Sequence, residues 1–557
     1  MGNEASAWDV IVVGSGAAGL SAALSAAKRG LKVLVVEKTR WFGGTTALSG
    51  GGIWVPGNHH ATAAGITDTV AAGRQYIQSL VGEKLRGEVL DAYLQAGPEM
   101  LQFYEANTEV RFTLAEHSPD WHQDLPGASM DGRLLRPLEY DAKKLNGLFE
   151  QLRIPRAEFN APGGFMIDLP DLPHLTNAKS SFKSFLYMAK LGARFGWDKL
   201  RGQPRGTRLT MGNALVARLL KSAQDAGVTL WRDTPVSQLV VGTEGVTGIR
   251  IERNGISETL AAHRGVVLAS GGFSANQQLR RAYMPFPDQH VSTTVESATG
   301  DGMNMGLEAG ASLDDENDAN GVWCVVSTTK KEDGTTSLYA HLIDMSKPGC
   351  IAVDRQGKRF GNEASQTFVD DMHRTGNVPA HIIADSRFVK AYGLGLVYPG
   401  AMGLQKLLKS GYIVEAPSLE ELATKIGVDP AGLAATTARM NEFAKTGKDL
   451  DFNKGDSVLD RDLGDAAHGP NPCLGTVEKG PFYAVQITSG DGSTTVGLRI
   501  NGKAQVLGQN GQPVKGLYAA GLDANSIWRG KAPAHGCNVG PAITLGYIAG
   551  RSLSAGY

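Results

Sequence analysis

A glycine-rich turn near the N-terminus constrains the fold more than any other part of this 557-residue sequence. Residues 12–19 read Val-Val-Gly-Ser-Gly-Ala-Ala-Gly, and a helix of small residues is predicted to follow over 17–29. In a G-x-G-x-x-G turn of this kind, Gly14 permits the tight turn and Gly16 lets the backbone approach a pyrophosphate, while Gly19 allows close packing of helix on strand. The N-terminus of the helix offers free N–H groups to the phosphates.

The residues around this turn make the motif more specific than its glycines alone. A strand is predicted over 8–13, and a second strand over 31–36 ends at Glu37. A carboxylate about 20 residues after the turn accepts hydrogen bonds from an adenosine ribose. The arrangement strand, turn, helix, strand and glutamate therefore predicts a Rossmann-like α/β domain that binds a dinucleotide.

The composition excludes several other classes of protein. Lys and Arg total 55 against 56 Asp and Glu, so no basic surface for nucleic acid is expected. The four cysteines lie far apart, which argues against a disulfide framework or a zinc site and favours a reducing, cytoplasmic compartment. No apolar run reaches the roughly 18 residues that a membrane-spanning helix needs. No metal site is predicted.

Glycine-rich segments recur at both ends of the chain. A run of small residues occupies 43–52, a strand over 264–268 runs into a glycine turn, and a similar strand and turn occupy 516–523. A helix with an Asn cap and an early Pro is predicted over 538–551. Because similar glycine-rich segments occur at both ends of the chain, we predict one discontinuous domain, 1–290 and 450–557, with a second domain inserted at 291–449.

The regions between these segments give weaker signals. Helices are predicted over 67–107 and 140–153, and a hairpin is predicted to turn near 242–245. The segment 181–200 combines exposed-type aromatic residues with four basic ones. It is interpreted as an internal docking helix, with peripheral membrane contact as the alternative.

Several motifs together resemble the flavoprotein family of fumarate reductases and 3-ketosteroid dehydrogenases. They are the turn with Glu37, the run 43–52, the strand ends at 268–272 and 516–523, and the last helix. Trp54-Val55-Pro56, Thr299-Gly300-Asp301-Gly302, 357–364, 119–137 and 540–547 are more similar to the ketosteroid dehydrogenase branch.

The resemblance implies a glutathione-reductase-type FAD-binding domain with an inserted α+β substrate-capping domain. FAD is expected to be non-covalent, because Thr45, Thr46 and Ser49 stand where members with a covalent flavin have a His. The last helix is expected to point its N-terminus at the flavin. The predicted FAD-binding residues are Gly14, Gly16, Ala17, Ala18, Gly19, Glu37, Lys38, Gly43, Gly44, Thr45, Thr46, Ser49, Gly50, Gly51, Gly52, Val236, Ala269, Ser270, Gly271, Gly521, Leu522, Asp523, Asn538, Pro541, Ala542 and Ile543.

The catalytic residues that the family implies are largely absent. One family tyrosine falls at Thr367 or Phe368, and another falls at Ala532. A supporting tyrosine is replaced by Trp121 or His122, although the glycine whose N–H polarises the ketone remains as Gly536.

The fumarate reductase pattern fails as well, because Val539 stands where an Arg should follow His-Gly-x-Asn. A neutral or singly charged, mostly apolar substrate is therefore expected.

Five residues are predicted to take the catalytic positions: His535, Gly536, Tyr483, Trp121 and Phe368. His535, in the loop before the last helix, is a proton carrier or a carbonyl donor, with a helix cap as the alternative. Tyr483 is interpreted as substrate-side or as packing. Trp121 is interpreted as a pocket wall or as an ordinary buried aromatic residue.

The resulting hypothesis is an FAD-dependent oxidoreductase that dehydrogenates a C–C bond next to the carbonyl of a hydrophobic, cyclic ketone. A protein base would take a proton, and a hydride would pass to the flavin. The alternatives are an enone or enoate reductase, an oxidase that uses O₂, and a flavin-binding protein without catalysis. The expected partners are a hydrophobic small molecule and an electron acceptor that the sequence does not identify.

Overall fold

A computed structural model describes residues 8–161, 164–178, 181–330 and 334–555. The chain divides into two compact units. The first comprises Met1–Arg280, Thr294–Gly321 and Ser493–Tyr557, and the second comprises Arg281–Thr293 and Val322–Gly492. Both units are therefore discontinuous in the sequence.

The α-helices of the described residues are numbered in chain order. They are α1 (Ala17–Ala27), α2 (His59–Ala63), α3 (Val70–Val81), α4 (Gly87–Asn107), α5 (Leu172–Thr176), α6 (Phe182–Leu200), α7 (Met211–Asp225), α8 (Gln277–Tyr283), α9 (Asp301–Glu308), α10 (Phe368–Thr375), α11 (Ser386–Tyr392), α12 (Leu404–Lys409), α13 (Leu419–Ile426), α14 (Pro430–Thr446), α15 (Val458–Leu463) and α16 (Val539–Ala555).

The strands are numbered in the same way. They are β1 (Trp8–Val13), β2 (Val33–Val36), β3 (Ile53–Trp54), β4 (Phe112–Leu114), β5 (Leu134–Pro137), β6 (Tyr140–Asp141), β7 (Arg208–Leu209), β8 (Thr229–Trp231), β9 (Val236–Gly242), β10 (Gly245–Arg253), β11 (Ile256–Leu268), β12 (Val291–Ser292), β13 (Leu313–Asp314), β14 (Gly321–Lys330), β15 (Thr336–Ala340), β16 (Cys350–Val353), β17 (Ala380–Asp385), β18 (Ile413–Ala416), β19 (Phe482–Thr494), β20 (Gly497–Leu498), β21 (Gln505–Leu507) and β22 (Pro513–Ala519).

The first unit is built on a sheet with the strand order β21-β22-β11-β1-β2-β8. β22, β11, β1, β2 and β8 run parallel, with Val10 opposite Val33 and Val266 opposite Leu517. β9 and β10 extend β11 as an antiparallel hairpin that turns at Gly242 and Gly245. The β2 strand is buried on both faces, which agrees with its continuous run of Val and Leu.

The two ends of the chain meet at helix α1. A Cβ on Gly546 of α16 would lie 2.3 Å from the Ala18 carbonyl oxygen, so only glycine allows this approach. The Ser21 hydroxyl donates to the Ile543 carbonyl at 2.5 Å, and the Ser25 hydroxyl donates to Tyr547 at 2.8 Å. The N-terminal and C-terminal segments therefore form one core.

The second unit contains a mixed sheet centred on β19. Residues of β19 pair antiparallel with β17 and with β18, placing Val485 opposite Ile382 and Ile413. Helices α10 to α15 belong to the same unit. The segment 450–492 was predicted to belong to the FAD-binding domain but lies here, because β19 is the central strand of this sheet.

Two further expectations from the sequence need correction. The stretch 140–153 forms short β6 and 3₁₀ turns, since Gly147 at φ 86° and Asn146 at φ 44° interrupt any helix. Residues 294–321, predicted to be part of the insertion, lie in the first unit, where α9 and β13 belong.

Helix α6 keeps its apolar face exposed in this chain. Phe182 is 77% exposed and Leu200 is 82% exposed, and Phe185, Leu186 and Trp197 are also exposed. The expectation of an internal docking helix is therefore wrong for this chain. Among the described helices, none is long and apolar enough to cross a membrane.

Candidate active site

The glycine turn forms a cradle in which a side chain would clash. Gly14 has φ 106°, and a Cβ there would lie 2.2 Å from the Ala269 carbonyl oxygen. A Cβ on Gly19 would lie 2.0 Å from the Gly14 carbonyl oxygen. At Gly16 such a Cβ would only be in ordinary van der Waals contact with Thr46 Oγ1, at 3.7 Å, and a glycine here lets a pyrophosphate approach the backbone. The residues of the turn therefore fit a bound dinucleotide.

Glu37 lies at the end of β2 and is almost fully buried. The Ser15 hydroxyl donates to its Oε2 at 2.6 Å, and the backbone N–H and hydroxyl of Thr39 each donate to Oε1 at 2.9 Å. These bonds hold the carboxylate beside the glycine turn. That is the position in which a ribose-binding glutamate is needed.

The run 43–52 lies against the same turn. The Thr46 hydroxyl accepts a hydrogen bond from Ala17 N–H at 3.1 Å, and the Thr45 hydroxyl accepts from Val295 N–H at 3.2 Å. Gly51 has φ 71°, and a Cβ there would meet Gly212 at 2.7 Å. Small residues are thus required where this loop packs on α7.

A buried aspartate, Asp523, joins the two strand ends of the domain. It accepts hydrogen bonds from the Ser270 N–H and hydroxyl, and the hydroxyl in turn accepts from Gly302 N–H at 2.9 Å. Burial raises the pKa of Asp523 to about 7. Lys38 pairs with Asp301 at 2.6 Å on the neighbouring loop. The turn after β11 and the turn after β22 are therefore linked by hydrogen bonds.

The remaining predicted FAD-binding residues lie in the first unit. Asn538 precedes α16 and its carbonyl accepts from Ala542 N–H, and a Cβ on Gly521 would approach Ala18 at 3.0 Å. Of the others, Val236 lies in β9, and Gly271 and Leu522 lie in the turns after β11 and β22. The small-residue run contains Gly43, Gly44, Ser49, Gly50 and Gly52, and the start of α16 contains Pro541 and Ile543. The structure brings the turns of both halves of the sequence together.

The loop before α16, residues 533–538, packs on strand β3. Gly536 has φ 84°, and a Cβ there would lie 2.8 Å from Trp54 N. The Trp528 indole N–H donates to the Cys537 carbonyl at 2.7 Å. The N–H of Gly536 has no hydrogen-bond acceptor in the ranges that the structure describes. It is available to a ligand.

His535 and Trp121 pack edge to face in this loop. Their ring centroids lie 5.2 Å apart. The backbone N–H of Trp121 donates to the Pro533 carbonyl at 2.8 Å. The indole Nε1 of Trp121 is buried and finds no hydrogen-bond partner among the described residues. Burial lowers the pKa of His535 to about 4, so its imidazole is neutral at physiological pH.

A buried ion-pair network contacts strand β3 and the loop before α16. Arg133 pairs with Asp120 at 2.6 Å and with Asp68 at 2.8 Å. Asp120 also accepts from the Trp54 indole at 2.7 Å, and the Tyr76 hydroxyl donates to the Pro533 carbonyl at 2.7 Å. Burial raises the pKa of Asp120 although Arg133 opposes the shift. Arg133, Asp68 and Tyr76 carry no local sequence signal for this role, because it depends on contacts between distant segments.

Two of the predicted catalytic residues lie in the hydrophobic core of the second unit. Tyr483 is in β19 and is 5% exposed, and Glu415 beside it contributes, after burial, to raising the pKa of its hydroxyl. Phe368 begins α10, is 1% exposed, and stacks on Phe360 with centroids 5.0 Å apart. Within their unit both side chains are packed among hydrophobic core residues.

Comparison with known proteins agrees with this geometry. The model of the FAD binding domain family matches residues 9–542. The chain is 40% identical to 4-oxocyclohex-2-ene-1-carboxylate 5-dehydrogenase of Sinomonas cyclohexanicum, over 99% of this chain and 94% of the relative. It is 36% identical to 3-oxosteroid 1-dehydrogenase of Mycobacterium tuberculosis, over 97% of each. The solved 3-ketosteroid delta1-dehydrogenase of Sterolibacterium denitrificans aligns over 99% of each chain with a TM-score of 0.91 and 34% identity.

The class of protein is therefore a flavoprotein dehydrogenase. The chain belongs to the FAD-binding family that includes the 3-ketosteroid dehydrogenases. It is an enzyme that uses FAD and acts on CH–CH groups. The expectations for the family, the α/β fold and the cofactor are confirmed.

Proposed function

We propose that this enzyme dehydrogenates the C–C bond next to the carbonyl of a monocyclic six-membered ketone, which can carry one carboxylate. The observation that carries the proposal is the group of unpaired donors at the loop before α16. Gly536 N–H and Trp121 Nε1 have no acceptor in the described parts of the chain, and the neutral His535 ring packs on Trp121. Donors of this kind can bind a carbonyl oxygen.

The donors also suit the chemistry. A C–H bond next to a ketone becomes acidic when fixed donors stabilise the developing negative charge on the carbonyl oxygen. In the reaction a protein base takes the proton from this carbon and the neighbouring carbon loses a hydride, so that a C=C bond forms. FAD supplies the hydride acceptor. Thr45, Thr46 and Ser49 offer no imidazole for a covalent bond, so acid precipitation should release the FAD.

The role of His535 follows from its pKa. A group with a conjugate-acid pKa of about 4 is a weak base for a C–H bond, whereas a neutral imidazole donates a hydrogen bond well. Of the two roles that the sequence leaves open, we therefore assign His535 that of carbonyl donor, together with Gly536.

The size of the substrate follows from what replaces the family tyrosines. The phenol groups that ketosteroid dehydrogenases are understood to use are absent at Thr367 or Phe368, at Ala532 and at Trp121 or His122. An indole at position 121 occupies more volume than a phenol. Sequence similarity to a 4-oxocyclohex-2-ene-1-carboxylate dehydrogenase at 40% identity supports the smaller substrate.

Product analysis tests the proposal. The holoenzyme is incubated with 4-oxocyclohexanecarboxylate and a dye acceptor, and the product is identified by mass spectrometry. Loss of two hydrogens with dye reduction is expected. Peroxide formation at the same rate without the dye would favour an oxidase, and no product from any saturated cyclic ketone would contradict the proposal.

A further inference from the structure

Two consecutive histidines and a glutamate form a cluster in the first unit that the proposed reaction does not use. His59 and His60 begin α2, and Glu105 lies near the end of α4. The Nε2 atoms of His59 and His60 lie 2.9 Å and 3.0 Å from the same carboxylate oxygen, Oε2 of Glu105. One donor atom from each side chain lies within 4.8 Å of the others.

We propose that this cluster is a binding site for a late first-row divalent cation, of which Zn²⁺ is the probe. Two imidazoles with one carboxylate are ligands that suit Zn²⁺, Co²⁺ or Ni²⁺ better than Mg²⁺ or Ca²⁺. With ligand bonds of about 2.0–2.1 Å, the donor atoms of a tetrahedral zinc site lie about 3.3 Å apart. The two N···O distances of 2.9 Å and 3.0 Å are close to this separation, and the three donor atoms all lie within 4.8 Å of one another.

The backbone holds the three ligands in place. The buried amide of Asn58 donates to the Val55 carbonyl at 2.7 Å and to the Gly132 carbonyl at 2.6 Å, and its oxygen caps α2 by accepting from Ala61 N–H. Oε1 of Glu105 accepts from Phe112 N–H at 2.9 Å and also lies 3.1 Å from His60 Nε2, whereas Oε2 lies within 3.0 Å of both histidine Nε2 atoms. The site is thus pre-organised by α2, α4 and β4.

The alternative is a cluster without a metal, in which two neutral imidazoles each donate Nε2–H to the Glu105 carboxylate. The two imidazole centroids lie 4.3 Å apart. One bound cation would satisfy both Nε2 lone pairs and the carboxylate together. Nδ1 of His59 is buried and has no partner among the described residues, so the hydrogen bonds and ion pairs of this ring are all at Nε2. The His59 side chain is 37% exposed, which allows a water as the fourth ligand.

The proposed metal site does not include any residue assigned to the flavin or the substrate. Metal binding and dehydrogenase activity can therefore be measured independently. Tag-free holoenzyme is stripped with a chelator, desalted, and titrated calorimetrically with ZnCl₂ at neutral pH. We expect one Zn²⁺ per chain in the wild type. His60→Ala and Glu105→Gln should weaken binding at least about tenfold. The control His263→Ala, which removes an exposed histidine of β11, should bind as the wild type does.

A spectroscopic measurement protects the test against misfolding of a variant. Co²⁺ bound by two imidazoles and a carboxylate should give ligand-field bands in the red, where oxidised flavin does not absorb, and added Zn²⁺ should remove them. The flavin absorbance of each variant reports whether it has folded. No Zn²⁺ binding and no Co²⁺ bands in the wild type would overturn the proposal, as would unchanged binding in a folded His60→Ala variant.

Discussion

At the scale of single residues, the loop before α16 explains how a family member can lack the family's tyrosines. Gly536 has φ 84°, and a side chain there would clash with Trp54, so both the backbone conformation and the available space require glycine. His535 follows Ala534 in a loop that contains no tyrosine, and burial keeps its imidazole neutral. A neutral imidazole and a backbone N–H can together stabilise an enolate oxygen. We therefore propose that this pair polarises the ketone.

Replacing His535 tests that assignment. His535→Ala should lower the anaerobic rate of flavin reduction at least about tenfold, because a donor to the developing oxyanion is lost. His535→Gln, which can still donate a hydrogen bond, should retain more activity than His535→Ala. The rate is measured by stopped-flow absorbance, with the exposed His263→Ala as control. Equal rates in His535→Ala and the wild type would contradict the role.

The pH dependence separates a donor from a base. Burial disfavours the charged imidazolium, so His535 stays neutral as pH falls until its pKa of about 4 is reached. The reductive rate should therefore show no inflection from His535 near the usual histidine value of about 6.5. Wild type and His535→Gln should have pH profiles of the same shape above about pH 5. An inflection near neutrality that only the wild type shows would mean that His535 titrates as the base.

At the scale of elements, a buried ion-pair network joins the loops of the second unit. Arg359 pairs with Glu363 at 2.7 Å and with Asp449 at 2.8 Å, and its side chain is only 4% exposed. Although burial opposes it, the charges of Arg359 and Lys454 lower the pKa of Glu363. The stabilisation from this carboxylate is present above the pKa of an unfolded glutamate and is lost as pH falls.

Removing the shared cation should destabilise the protein strongly. Arg359→Met removes the cation that Glu363 and Asp449 share, although Glu363 keeps Lys454 at 3.6 Å, and breaking a buried pair in this way costs about 3–5 kcal/mol. We expect a clearly lower thermal midpoint, measured by circular dichroism at neutral pH. The matched control is Arg439→Met, which breaks an exposed pair with Asp451 and should leave the midpoint close to that of the wild type. Similar midpoints for both variants would argue against the network.

The exposed face of helix α6 is predicted to bind membranes that contain anionic lipid. Its exposed face carries Phe182, Phe185, Leu186, Trp197 and Leu200, next to basic residues. Aromatic side chains with lysines and arginines are typical of helices that lie in a membrane interface. We expect the wild type to co-sediment with vesicles rich in anionic lipid, and a Phe182→Ser/Leu200→Ser variant to do so much less. Wild-type protein that stays in the supernatant at low salt would contradict this prediction.

At the scale of the whole molecule, the sequence gives stronger signals for the FAD-binding residues than for the residues that would contact the substrate. The turn at Gly14, the carboxylate of Glu37 and the last helix have strong local signals because glycine geometry and helix caps are set by neighbouring residues. The boundary at 450 was wrong because β19 belongs to its sheet through pairing with strands about 70 to 100 residues away in the sequence. No local pattern reveals such pairing.

The supporting residues of the site were hidden for the same reason. Arg133 reaches Asp68 across a sequence separation of 65 residues, and Tyr76 reaches Pro533 across 457. An arginine followed by two leucines indicates an ordinary strand, and its burial between two aspartates emerges only in the fold. Trp121 and His535 were predicted as site residues because they stand at positions where the family implies other residues, and this assignment stays a prediction.

The central claim, a small cyclic ketone as substrate, is tested most directly by anaerobic bleaching of the flavin. The holoenzyme is mixed without oxygen with a panel of monocyclic cyclohexanones, including 4-oxocyclohexanecarboxylate, of 3-ketosteroids and of enoates, and the flavin absorbance is followed. We predict rapid bleaching by a monocyclic ketone and slow or no bleaching by the steroids. Rapid bleaching by 3-ketosteroids alone would contradict the account.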